Sequence, residues 1–353
     1  MKLTVKSAVC ALAASVALVC SASAMAAEKS IVVLTAPEDH GWTGSVATFA
    51  KEKAAEVTAQ GKYDVNVITC ANGAYQITQI EDLLASGDDS LAGIVIQPID
   101  DTVLTGIQQI VDAGIPYVAF DRIIEAVAPT AVSNVKGDNE GIGAGSAAYF
   151  VQNGLMPGDK IYVYEGDTSS VTIMRNSGFT EYLTGERSFE GQTIPEDKKW
   201  TQEQLDSAIT YSGAMNWSRS DTKASYETLM GDASNAQIKW FYAQDDELAM
   251  GILEALRGGG IDDDTKAKIY EAKPYITGCG GLEEFYKVLR GEEYQEIAGK
   301  LGGVMSVTYN PSMIQTAIQD LVDHLDGREV VQDHVIECHN VTSENVSEFK
   351  SFN

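Results

Sequence analysis

Several side chains in this sequence have the types and placement to hold a small polar molecule. Asp121-Arg122 sets a carboxylate beside a guanidinium directly after the apolar run Pro116-Tyr117-Val118-Ala119-Phe120. Sugar hydroxyls both donate and accept, so an Asp with an Arg can hold two adjacent hydroxyls through charge-assisted hydrogen bonds. The same pair serves equally as a salt bridge tying a loop. Arg175 offers a second cation near the start of a helical stretch; its plain alternative is a solvent-facing helix arginine. Trp42 and Trp217 follow loops, where an aromatic face stacks on the C–H face of a sugar ring, although each reads as well as a core aromatic.

Catalytic readings find less. His40, His324, His334 and His339 sit in no Ser or Cys nucleophile motif, and no G-x-S-x-G occurs. The carboxylate pairs Asp100-Asp101 and Asp245-Asp246 would suit glycoside cleavage only with two carboxyls about 5 to 9.5 Å apart across a bond, which adjacency in sequence does not supply. Gly141-Ile142-Gly143-Ala144-Gly145 lacks dinucleotide spacing, no Walker lysine is present, and no Cys/His cluster has zinc spacing. No cofactor or metal is expected.

These residues must be positioned by alternating strands and helices. Ser30 to Leu34, Tyr63 to Ile68, Gly93 to Gln97 and Pro116 to Phe120 read as strands, separated by helical stretches at Trp42 to Gln60, Ala74 to Ala85 and Asp100 to Asp112. The alternation restarts after Arg122, with helix Gly141 to Asn153, strand Lys160 to Tyr164, helices Val171 to Gly185 and Ser220 to Gly231, strand Trp240 to Tyr242 and helix Glu247 to Arg257. Such alternation means βαβ units and parallel sheets, hence an α/β fold of two doubly wound lobes. Gly185 to Trp217 reads as an insertion at the second lobe's rim. Ligands of open parallel sheets bind beyond the carboxyl ends of the strands. The polar clusters Glu38-Asp39-His40-Gly41-Trp42, Pro98-Ile99-Asp100-Asp101, Asp121-Arg122, Gly166-Asp167-Thr168 and Gln244-Asp245-Asp246-Glu247 all fall there.

Composition bounds the setting. Lys2 and Lys6 precede an apolar run from Ala8 to Val19, and Ala24-Met25-Ala26 offers a cleavage site, so residues 1–26 read as a secretory signal peptide. The run is shorter than the roughly 20 residues of a spanning helix. Lipid attachment at Cys20 is a rival reading, disfavoured by Val19 before it. Cys70, Cys279 and Cys338 remain after cleavage, too few and too widely spaced for a disulfide framework, and read as buried small residues. The formal net charge of -26 disfavours nucleic acid as a partner and keeps a secreted protein soluble. A mature chain of about 327 residues exceeds what one core usually serves.

Taken in order, Gly93-Ile94-Val95-Ile96-Gln97-Pro98, Gly114-Ile115-Pro116-Tyr117-Val118-Ala119-Phe120-Asp121-Arg122, Arg175-Asn176-Ser177-Gly178-Phe179 and Ala243-Gln244-Asp245-Asp246-Glu247-Leu248-Ala249-Met250-Gly251 resemble the periplasmic sugar-binding proteins of ABC importers, the ribose/galactose group that shares its fold with the lactose-repressor ligand domain. The resemblance implies two lobes that close on a ligand like a hinge. It places the crossings after Arg122, near Tyr309-Asn310-Pro311 and near Val331 to Val335, with one lobe at 27–124 plus 310–333 and the other at 125–309 plus 334–353. It makes Asp121, Arg122 and Arg175 ligand-binding, with Trp42 and Trp217 as aromatic walls. Three positions depart from the pattern: Asp245 replaces a common Asn, Gly280 in Gly278-Cys279-Gly280-Gly281 replaces a common Asp, and Tyr309 replaces a common Gln. The implied function is that of a periplasmic, monomeric receptor handing a monosaccharide or sugar-like solute to a membrane permease. A receptor feeding a chemoreceptor or sensor kinase is the alternative, and a secreted glycosidase a weaker one.

Overall fold

A computed structural model describes residues 29–38, 41–87 and 89–353. The leader at 1–26, Cys20, Asp39 and His40 lie outside the described residues. The first sheet contains β1 (Lys29–Thr35), β2 (Tyr63–Thr69), β3 (Leu91–Ile96), β4 (Tyr117–Phe120) and β5 (Ser133–Gly137). The second contains β6 (Ile161–Glu165), β7 (Ile209–Ala214), β8 (Trp240–Ala243), β9 (Tyr275–Gly280) and β10 (Gly303–Thr308). β11 (Asp333–Ile336) joins the first sheet and β12 (Asn340–Val341) the second, giving the orders β11-β5-β4-β3-β1-β2 and β12-β10-β9-β8-β6-β7. All pairings are parallel except β10 with β12.

Within each sheet the five leading strands repeat one order: β2-β1-β3-β4-β5 in the first and β7-β6-β8-β9-β10 in the second. This is the doubly wound order whose direction reverses between the first and third strands of a lobe, the place where α/β sheets bind ligands. The strands read as continuous apolar runs because helices cover both faces. Ile31, Val33, Ile94, Val95, Val118 and Phe120 are fully buried in the first lobe, as are Tyr164, Phe241, Tyr242 and Ile276 in the second.

Two crossings differ from the sequence expectation. β5 pairs with β4 in the first sheet, and the helix after it, Asn139–Gln152, packs on the second lobe, so the first crossing lies at Gly137-Asp138 and not after Arg122. β5 reads Ser133-Asn134-Val135-Lys136-Gly137 and carries no apolar signature, since two of its buried positions are polar and hydrogen-bonded inside the lobe. Ser133 Oγ donates to Asp320 Oδ2 at 2.8 Å, and Asn134 Nδ2 donates to the Ala128 carbonyl at 3.0 Å. β11 belongs wholly to the first sheet, so the third crossing follows it at 337–339, beyond the Val331 to Val335 expected. The remaining crossing runs from β10 through Tyr309 into helix Met313–Leu325, which packs on the first sheet. The stretch read as an insertion holds helix Gln202–Ala208 and β7, the second sheet's edge strand. Cys70, Cys279 and Cys338 are buried and unbonded.

Helices Asn139–Gln152 and Ser170–Thr184 meet backbone to backbone through glycine. A Cβ on Gly143 would lie 2.0 Å from the Arg175 carbonyl oxygen, and one on Gly178 would lie 1.8 Å from the Glu140 carbonyl oxygen. Gly178→Ala should therefore destabilise the protein, although alanine favours a helix over glycine by about 1 kcal/mol. We expect a loss on the order of 1–3 kcal/mol, read as a lowered midpoint in urea unfolding. An unchanged or raised midpoint would contradict this close helix contact.

Candidate functional site

The carboxyl ends of β1, β3 and β4 face those of β6, β8 and β9 across a cleft of about 510 Å³, counting its open mouth. Trp42, Asp121, Arg122, Arg175, Trp217, Asp245, Gly280 and Tyr309, the residues singled out by sequence, all line it, together with Ala36, Thr43, Gln97, Val171 and Cys279. That volume suits a small ligand.

Arg175 is the central cation. Helix Ser170–Thr184 carries it into the cleft with only 3% of its surface exposed, which excludes the solvent-facing alternative. Its Nε donates to Asn139 Oδ1 at 3.1 Å and its NH1 to the Gln244 carbonyl at 2.5 Å. The guanidinium carbon sits 4.9 Å from the Tyr309 ring centre and 5.3 Å from that of Trp217, so two aromatic faces replace lost water.

Asp121 follows β4 in the left-handed region at φ 65°, a conformation an Asp tolerates better than a bulky residue. It accepts from Tyr309 Oη at 2.5 Å and from Gln97 Nε2 at 3.1 Å. Arg122 turns its NH1 to the Ile99 carbonyl and its NH2 to Asp167 Oδ2 at 3.3 Å. Asp121 and Arg122 therefore do not pair with each other, and the salt-bridge reading of that dipeptide is replaced by two separate sets of contacts.

Tyr309 ties the crossing to both lobes. Its hydroxyl holds Asp121, its carbonyl accepts from Trp42 Nε1 at 2.8 Å, and its ring stacks on Trp42 at 5.4 Å. Gly137 must lack a side chain here, since a Cβ would fall 2.3 Å from the Tyr309 ring. Trp42, 8% exposed, is both core and wall, with its other stack on Phe120 at 6.3 Å. Trp217 lies over Gly166, where a Cβ would come within 2.1 Å of the indole. Asn216 and Trp217 both take positive φ, at 52° and 56°. Backbone strain at a Trp is the kind stored at binding sites.

Sequence reading passed over two glutamines that fix the loops. Gln97, after β3, accepts from Ala36 N at 3.0 Å through Oε1, and Gln244, after β8, accepts from Gly166 N at 3.0 Å in the same way. Each ties the loop after one strand to that of its sheet neighbour at the point where the strand order reverses. Both are fully or almost fully buried, and a Gln directly after an apolar strand was the available signal.

A family model described as periplasmic binding protein domain matches residues 31–329. The chain belongs to that family. This periplasmic binding protein is 28% identical over 192 residues to the ribose import binding protein of Bacillus subtilis, a match spanning 53% of each chain, about half the relative's length. Among solved structures it resembles an ABC transporter solute binding protein from Bacillus halodurans C-125 with bound myo-inositol, at TM-score 0.68 and 20% identity, covering 92% of this chain and 98% of that one. It also resembles the arabinose-transporter binding protein of Shewanella sp. ANA-3 bound to L-arabinofuranose, at TM-score 0.67 and 16% identity, covering 91% and 94%. These two likenesses show the fold: paired, mostly parallel α/β lobes of the type I periplasmic binding proteins.

The three positions that the resemblance singled out, Asp245, Gly280 and Tyr309, all line this binding protein's cleft. Asp245 caps helix Asp246–Arg257, accepting from Glu247 N at 2.6 Å through Oδ1. Burial, then the neighbouring charges of Asp246 and Glu247, push its carboxyl up to about 8 despite Arg175 and the cap. Asp246 is spent elsewhere: Oδ2 accepts from Gly281 N at 2.8 Å and Leu282 N at 2.9 Å, and Oδ1 from Ser306 Oγ at 2.8 Å. Only Asp245 of that pair lines the cleft, and Gly280, at φ 136°, sits on the loop that Asp246 holds.

Between its ordinary value of 3.8 and its native value near 8, Asp245 binds a proton folded and loses it unfolded. Its burial therefore costs stability that grows as pH rises through that window. Asp245→Asn keeps an N-cap and removes this term. Its melting temperature relative to wild type should rise steadily from about pH 4 to about pH 8, measured by calorimetry, and a pH-independent difference would refute the assignment.

Proposed function

We propose that this chain is the substrate-binding component of an ABC importer, capturing a monosaccharide or polyol between its lobes and delivering it to a membrane permease. The observation that carries this reading is the buried Arg175, held between two aromatic faces in a cleft that also presents Asp121, Arg122 and Asp245. Ionic and neutral hydrogen-bonding groups fixed by their own contacts, with aromatic walls beside them, suit a ligand of many hydroxyls and two apolar ring faces. The relatives' ribose, myo-inositol and arabinofuranose support this ligand class.

Among the described residues that line the cleft, the Asp245-Asp246 pair has only one member. The reading is one of binding without turnover, in line with a family of binding proteins. A leader at residues 1–26 would place the receptor in the periplasm. Among the described residues no helix is long and apolar enough to cross a membrane.

The test is a thermal-shift screen against pentoses, hexoses, their furanose-rich members and inositols. A ligand at a hundredfold excess over its Kd raises stability by about 2.7 kcal/mol. Arg175→Ala should lose the shift for any hit, because removing one partner of a buried charged hydrogen bond costs about 2–5 kcal/mol of binding. Absence of any hit, or an unchanged affinity for Arg175→Ala in calorimetry, would overturn the reading.

A further inference from the structure

Asp167 follows β6 and does not line the cleft, yet it touches two residues that do. Its Oδ1 accepts from Ser169 N at 2.9 Å and Ser169 Oγ at 2.5 Å, which fixes the carboxylate at the entry to helix Ser170–Thr184. Its Oδ2 accepts from Trp217 Nε1 at 3.0 Å and from Arg122 NH2 at 3.3 Å. Trp217 belongs to the second lobe and Arg122 to the first. A single carboxylate oxygen thus joins the aromatic wall of one lobe to the cationic arm of the other.

Burial alone would raise the Asp167 pKa, but hydrogen bonds from Ser169 and Trp217 and the charge of Arg122 hold it below the usual carboxylate range. The pair is partly shielded from solvent, with side-chain exposures of 28% and 21%. Arg122 carries five N–H donors. The contacts to Ile99 and Asp167 engage both terminal nitrogens and still leave donors over for a ligand. A bond between lobes exists only when the lobes are together, so its whole free energy is differential between open and closed forms.

We propose that Asp167 is a positioning residue and the closing latch of the cleft: it draws Arg122 across from the first lobe, holds Trp217 against Gly166, and populates the closed form before ligand arrives. The proposal uses the two-lobed closure of the reading above but not the identity of the ligand.

The experiment is small-angle scattering of the ligand-free full chain at low ionic strength, for wild type, Asp167→Asn and Asp167→Glu, with circular dichroism confirming that each is folded. Removing the charge should lower the closed-to-open ratio about fivefold, the lower end of typical coupling between two states. Asp167→Glu should stay near wild type. Raising wild type to about 1 M salt should open it as Asp167→Asn does, because a partly exposed pair is screened. Identical profiles for wild type and Asp167→Asn, or an Asp167→Glu variant as open as Asp167→Asn, would overturn the latch. Should Asp167→Asn not fold, the wild-type salt titration decides, and a profile indifferent to salt overturns it. A chain that binds no sugar yet opens on losing this charge keeps the latch and loses the sugar reading.

Discussion

A guanidinium buried between two lobes constrains nearly everything around it. Stripping water from a charge costs several kcal/mol unless partners replace it. Arg175 finds those partners in the Gln244 carbonyl, Asn139 Oδ1 and the rings of Tyr309 and Trp217. Each of these has its own requirement in turn. Tyr309 needs Gly137 bare, Trp217 needs Gly166 bare, and the Arg175 backbone needs Gly143 bare. Three glycines, one from a strand, one from a loop and one from a helix, are thus tied to the surroundings of one buried cation.

Much of this was legible in the sequence, for a physical reason. Strands covered on both faces write themselves as unbroken apolar runs, so β1, β3, β4 and β8 are visible, and ligand chemistry in such sheets falls just after them. Asp121, Arg122 and Asp245 could be found from that rule, and Tyr309 and Gly280 through resemblance. What escaped was structure whose signal is not apolar. β5 buries Ser133 and Asn134 on hydrogen bonds to residues 187 and 6 positions away, a pairing that periodicity cannot reveal. Its loss moved the first crossing by about a dozen residues. Asp167 was visible as a strand-end acid, but its partners Arg122 and Trp217 lie 45 and 50 residues off.

The site also shows how polar side chains divide their work. Asp121 has both oxygens occupied by Tyr309 and Gln97, and Asp246 is wholly given to a loop. Asp245 keeps one oxygen for its helix and lies against the cleft with its proton held tightly. Preorganisation of this kind lowers the ordering a ligand must impose.

Gln97 and Gln244 occupy corresponding corners of two sheets with the same strand order. Each staples the two loops flanking its reversal point, so each lobe grips with a stiff jaw. Stiff jaws leave the bending to the three connecting segments at 137–138, 309–312 and 337–339. Mechanically the protein is a pair of pliers whose pivot carries a tyrosine in contact with both handles. On the closure proposed above, a pivot in contact with both lobes couples the state of the cleft to the outer surface of either lobe, far from whatever the cleft holds.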